Sequence, residues 1–154
     1  MVTIREATPA DVDVIYDLIM AIAKYHGEEH YVITSKEELA ASGFGSSPKF
    51  GVLLAEVDGE VAGYASYTWN YNIWLGANYM HIDDVFVWDA FRGHKVGEAL
   101  MLKAKDVCFA NGCRRLKWEV EEDNLSAIRF YERLGAEVNI KGVCRWGDTL
   151  LVQP

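Results

Sequence analysis

The sequence predicts the α/β (α+β) fold class, a central mixed, mostly antiparallel sheet flanked by helices on both faces. Three observations carry that prediction. Residues 12–24 place apolar side chains at helical spacing, residues 50–88 switch to extended patterning broken by an Asp-Gly turn, and helix-type and strand-type segments alternate thereafter.

A short strand is expected over 2–6, followed by Thr8 as a cap and Pro9 at the first helical position. The helix then runs to about Lys24, with Val14, Ile15, Leu18, Ile19 and Ile22 forming one buried stripe. Ser35-Lys36-Glu37-Glu38 has the form of a capping box and opens a second helix that Gly43 ends. Strands follow over 50–57 and 60–69, joined at Asp58-Gly59, and a third over 79–88 completes a meander. Val96, Leu100, Ala104 and Val107 mark a helix closed by Asn111-Gly112. A strand over 115–120, a helix over 126–134 capped by Gly135, and a last strand over 144–152 finish the chain. With no repeat, low-complexity tract or linker, residues 1–154 are expected to form a single domain.

Composition narrows the function. The chain has 15 Lys and Arg against 23 Asp and Glu, a formal net charge of −8, which opposes nucleic acid and anionic lipid and favours cationic partners. The same acidity also serves plain solubility. Cys108, Cys113 and Cys144 follow no zinc spacing with the histidines, so no metal is expected, and reduced thiols point to a cytoplasmic protein. The first residues lack signal-peptide character, and no apolar run approaches the ~20 residues of a membrane span.

The most informative stretch joins the third meander strand to the helix at Val96. The apolar run Val85-Phe86-Val87-Trp88 leads into Arg92-Gly93-His94-Lys95-Val96-Gly97, a basic, glycine-bearing turn that opens into a helix. Such a turn can aim several backbone N–H groups at a phosphate, aided by the helix dipole. These six residues alone read equally well as an ordinary loop with surface cations. Asp83 and Asp84 are the second signal, because two adjacent carboxylates inside an apolar strand are costly without a partner. Strand pleat sends them to opposite faces unless a bulge intervenes.

The turn resembles the R/Q-x-x-G-x-G/A acetyl-CoA motif of the GNAT superfamily of N-acetyltransferases, with Lys95 where the family usually has its middle glycine. Lys95 must therefore take a backbone conformation that a lysine tolerates. Ala23-Lys24-Tyr25, Gly43-Phe44-Gly45, Leu54-Ala55-Glu56-Val57, Trp74-Leu75-Gly76, Asp83-Asp84-Val85-Phe86-Val87 and the run from Phe130 to Ala136 are similar to the diamine (spermidine/spermine) acetyltransferase branch.

That resemblance implies acetyl-CoA as cosubstrate, bound through Val85, Phe86, Val87, Arg92, Gly93, His94, Lys95, Val96, Gly97, Glu98, Asn124 and Ser126. It implies Asp83 as the base, directly or through a water, and Tyr131 as the proton donor to the departing thiolate. By residue type alone, Tyr131 reads as a packed helical aromatic and Asn124 as an N-cap. The acceptor amine falls to Tyr25, His26, Trp74 and Asp84, with His26 standing where that branch has a glutamate. A small amine as partner and a homodimer are further implications, with Tyr64 to Trp74 as an interface or as core. A GNAT enzyme for an aminoglycoside or a protein N-terminus, and a non-catalytic acyl-CoA-binding module, are the alternatives.

Overall fold

The computed structural model describes residues 1–147. They form a first unit, Met1–Glu119, and a second that begins at Val120. β1 (Val2–Glu6) pairs antiparallel with β2 (Gly51–Val57), and one arginine holds that edge to the turn that follows. The Arg5 guanidinium donates two bonds to Asp11, at 2.8 and 2.9 Å, and a third to Glu56 at 2.7 Å. Arg5 thereby lowers the Asp11 pKa to about 2.

Pro9 begins a single 3-10 turn, Pro9–Asp11, with Thr8 and Asp11 closing a capping box. α1 (Val12–Tyr25) continues from it, one residue longer than the sequence reading. α2 (Lys36–Gly43) starts where expected, and the Ser35 hydroxyl accepts the Glu38 N–H at 3.1 Å. Only half of the expected box forms there. The Glu38 carboxylate turns forward and accepts the Ser42 hydroxyl at 2.6 Å.

β3 (Glu60–Asn72) and β4 (Ala77–Val87) complete the meander, and β5 (Leu116–Lys117) adds to β4 in parallel, giving the order β1-β2-β3-β4-β5. One face of the sheet carries Val52, Leu54, Tyr64 and Phe86 against Ile15 and Leu18 of α1 and Leu39 of α2. Leu53, Ala55 and Ala65 alternate to the other face, and α3 (Val96–Ala110) packs across β1 to β4 with Leu100, Met101 and Ala104 buried. The mixed sheet with helices on both faces is the predicted class.

Three boundaries differ from expectation. The β3–β4 hairpin is longer, because Asn72 closes the tip itself, its Oδ1 accepting the Leu75 N–H at 3.0 Å and its carbonyl the Gly76 N–H at 2.9 Å. β5 is only two residues long, since its pairing with β4 stops at His81↔Lys117. Residues 144–147 form no strand, and the remainder of the last expected strand lies outside the described residues. In the second unit, α4 (Leu125–Arg133) ends as predicted at Gly135, whose φ is +89°. No helix among the described residues is long and apolar enough to cross a membrane.

The backbone of β4 crowds β3 at Gly63, where a Cβ would collide with the Phe86 carbonyl oxygen and lie 3.0 Å from the Val87 Cα. Backbone cannot yield as a side-chain end can. Gly63→Ala should therefore destabilise the fold by about 2 kcal/mol in urea unfolding, and an unchanged midpoint would show that the strands part without cost.

Candidate active site

The register of β3 against β4 slips by one residue in the middle of the hairpin. Tyr67 opposes Ile82 and Ser66 opposes Asp84, so Asp83 is the unopposed residue of a β-bulge. The bulge resets the pleat. His81 opposes Thr68, and Thr68, Ser66 and Tyr64 share a face of β3, so His81 and Asp84 project from the same side of the sheet as α1 and α2.

Asp84 lies in the least solvated part of this group. The fully buried Tyr64 donates its hydroxyl to Asp84 Oδ2 at 3.2 Å, and Ser66 adds a second hydroxyl bond. Burial nevertheless pushes the Asp84 pKa up, Asp83 adds to the rise, and His26 at the end of α1 opposes it. Burial and the neighbouring carboxylates also drive the Tyr64 phenol far above its ordinary range. Asp83 is more open and pairs with His81, whose Nδ1 lies 3.0 Å from Asp83 Oδ1. Two adjacent carboxylates, with Asp84 within electrostatic reach of His26 at the end of α1, make a place for a cation.

The backbone beyond the bulge presents donors. Trp88 N–H bonds the Ala62 carbonyl at 2.9 Å, and Ala62 therefore faces Trp88 in a hydrogen-bonded pair. Alternation along an antiparallel ladder then turns the N–H and C=O groups of Val85 and Val87 away from β3. Pairing with β5 has already ended at His81, so these groups have no strand partner among the described residues. The Val87 carbonyl accepts Arg92 Nε at 3.2 Å. Phe86 is a core side chain and can serve a ligand only through its backbone.

The basic turn has a distinctive geometry. Gly93 has φ +84° with open space where a Cβ would stand, and Lys95 has φ 62° and ψ 24°, in the left-handed region, at the N-cap of α3. The lysine thus takes a backbone conformation suited to the glycine usual in the motif. Its side chain gives no cap to α3, which leaves the first-turn N–H groups without a side-chain acceptor at that position. His94 and Lys95 are exposed, Val96 is buried, and Glu98 lies in the first helical turn. Arg92 pairs with Asp89 at 2.9 Å and stacks over Tyr25, its guanidinium carbon 5.3 Å from the ring centroid. The turn is thereby tied to the end of α1.

Within the first unit, one predicted residue does not join this group. Trp74 sits at the hairpin tip, 98% exposed, and seven β4 positions separate Asp84 from Ala77, or about 23 Å of strand. In the second unit, Asn124 Oδ1 caps α4 by accepting the Ala127 N–H at 3.3 Å, and the Ser126 hydroxyl donates to the same oxygen at 3.3 Å. Tyr131 is half-buried on α4, and burial raises its pKa, which keeps the phenol protonated at neutral pH. Sequence reasoning missed Tyr64, Ser66 and His81. The available signal was their spacing of two residues along strands that carry or oppose the aspartates.

Residues 12–136 match the acetyltransferase (GNAT) family. The chain belongs to that family. It is 35% identical to the thialysine N-epsilon-acetyltransferase of Bos taurus over 144 residues, covering 88% of this chain and 84% of that protein. The spermidine/spermine N(1)-acetyltransferase-like protein 1 of Homo sapiens is 26% identical over 86% of this chain, which spans 20% of that longer protein. The crystal structure of an aminoglycoside acetyltransferase from a soil metagenome, in complex with trehalose, has a TM-score of 0.80 at 14% identity over 95% of both chains, a likeness of fold alone. A GNAT enzyme is an acyltransferase that draws its acetyl group from acetyl-CoA. Among the described residues no cluster of histidine, cysteine and carboxylate side chains could hold a metal ion.

Two outcomes follow from this geometry. Lys95→Gly should raise stability by about 1 kcal/mol by relieving the left-handed backbone, and a lower unfolding midpoint would contradict that reading. Asp84→Asn removes a partly desolvated charge and keeps an acceptor for Tyr64. Thermal melts at neutral pH should therefore show a higher Tm. The Tm gain should shrink as pH falls, because the raised pKa lets the wild-type carboxyl take up its proton in the folded state before it does so unfolded.

Proposed function

We propose that this GNAT enzyme transfers an acetyl group from acetyl-CoA to a primary amine of a small diamine or an amine-bearing amino acid, by direct attack in a ternary complex. The observation that carries the reading is the β4 bulge. It sets Asp83 and Asp84 beside each other immediately before the Val85 and Val87 backbone groups that point away from β3. Similarity to the bovine thialysine enzyme supports an acceptor with a side-chain amine.

Acetyl-CoA supplies the activated acetyl carbonyl. The uncapped α3 N-terminus, the open space at Gly93 and the cations Arg92, His94 and Lys95 suit its pyrophosphate. Arg92 to Glu98 would hold it, and the family resemblance makes Asn124 and Ser126 of the second unit further candidates for the cosubstrate. The amine arrives as an ammonium and is held by Asp84 and by the end of α1 at Tyr25 and His26. Asp83 takes part in removing its proton. The Val85 and Val87 N–H groups polarise the carbonyl under attack, in the manner of an oxyanion hole. The same resemblance makes Tyr131 the candidate proton donor to the departing sulfur. A homodimer of single-domain chains in the cytoplasm fits this role.

Purified protein incubated with acetyl-CoA and a panel of thialysine, lysine, ornithine, short diamines, spermidine and aminoglycosides should release CoA thiol, fastest with the small diamino compounds. No release across the panel despite measurable acetyl-CoA binding would favour a binding module and defeat the enzyme reading. Asp83→Asn should lower kcat/KM by about 10²-fold or more, chiefly at lower pH where fewer amines are already neutral. A loss equal at every pH would move the base elsewhere.

A further inference from the structure

Transfer to an alkylamine requires a base able to take a proton from an ammonium, and an ordinary carboxylate is a weak one. Carboxylates lie about 6 pKa units below an alkylammonium, whereas imidazole closes roughly 2.5 of them. The structure sets an imidazole beside the bulged aspartate. His81 is the last β4 residue paired with β5, Asp83 is the bulge itself, and the two side chains meet at 3.0 Å through Nδ1 and Oδ1. The His81 side chain retains 22% of its exposure and that of Asp83 43%, which leaves both partly accessible from solvent.

We propose that His81 and Asp83 act as one base. The Asp83 carboxylate accepts the Nδ1–H of His81, and this fixes the neutral ring as the tautomer whose free lone pair is on Nε2. The ammonium R–NH3+ gives one proton to Nε2, leaving R–NH2 and an imidazolium stabilised by Asp83. The amine nitrogen then forms the C–N bond to the acetyl carbon, and the C–S bond breaks with its electron pair going to sulfur. The attacking nitrogen gives a second proton to water as the amide forms, and the sulfur takes one up to give the thiol. The imidazolium returns its proton to water. Lys117 lies opposite His81 on β5, Asp84 and Tyr64 interact electrostatically with Asp83 at the bulge, and His26 at the end of α1 acts on Asp84.

The inference rests on the amine-acetyltransferase reading, and its tests separate the two. His81→Asn keeps an N–H donor for Asp83 and cannot carry a proton. With whichever amine the wild type acetylates, H81N should lower kcat by about 10²-fold, with acetyl-CoA affinity within about twofold of wild type. The H81N/D83N double variant should be no slower than the slower single one, as expected of groups that act as a unit. Wild-type turnover in H81N, or losses that multiply in the double variant, would overturn the proposal while leaving the enzyme reading intact. Wild-type protein that acetylates no amine would instead defeat that reading. One measurement needs no activity. Long-range ¹H–¹⁵N spectra at alkaline pH, with His81 assigned by its absence in H81N, should show the wild-type ring protonated on Nδ1, and an Nε2–H ring would overturn the proposal.

Discussion

One inserted residue in β4 organises this protein. Without Asp83 as a bulge, the pairing of β3 with β4 would run in one phase, and His81 and Asp84 would lie on opposite faces of the sheet. The extra residue brings both to the α1 side. The local twist of a bulge also accompanies the end of the β4–β5 ladder, beyond which β4 offers backbone groups rather than partners. A local irregularity thus does what a regular strand cannot, placing side-chain acid and base groups next to outward-facing N–H groups within a few residues.

The stable parts of the fold hold the unfavourable ones in place. Tyr64 belongs to the core formed with Ile15, Leu18, Val52 and Leu54, and from that fixed position it directs its hydroxyl at Asp84. A carboxylate at the margin of an apolar core is tolerated because two hydroxyls and the nearby His26 offset part of its desolvation. Lys95 follows the same logic in backbone form. Its left-handed φ sits immediately before Val96, whose burial fixes the first turn of α3.

How much of this could be read from the sequence depends on whether the deciding contact was local. The α1 stripe, the Asp58-Gly59 turn, the Ser35 cap and the Gly135 cap are set by neighbours within a few residues, and all appear in the structure. Glu38 departs from the capping box because Ser42, one turn ahead, offers it a hydroxyl. The bulge was visible only as a condition, since nothing in Ile82-Asp83-Asp84-Val85 states which β3 residue lies opposite. His81, Tyr64 and Ser66 gain significance only once that register is known. The basic turn was legible as a motif, whereas the stacking of Arg92 on Tyr25 joins positions far apart in the chain. β5 was overestimated because its residues favour a strand where its partner soon leaves it.

The long β3–β4 hairpin carries a colloidal consequence. Between Glu60 and His81 no side chain bears a formal charge, although the chain as a whole has a net charge of −8. Like-charge repulsion between copies of such a protein is strongest where its carboxylates are densest and weakest along this arm. The tip also exposes Ile73, Trp74 and Leu75 to water. Added salt shortens the range of the repulsion elsewhere and changes little at the arm, so ionic strength shifts how strongly crowded molecules prefer one mutual approach over another.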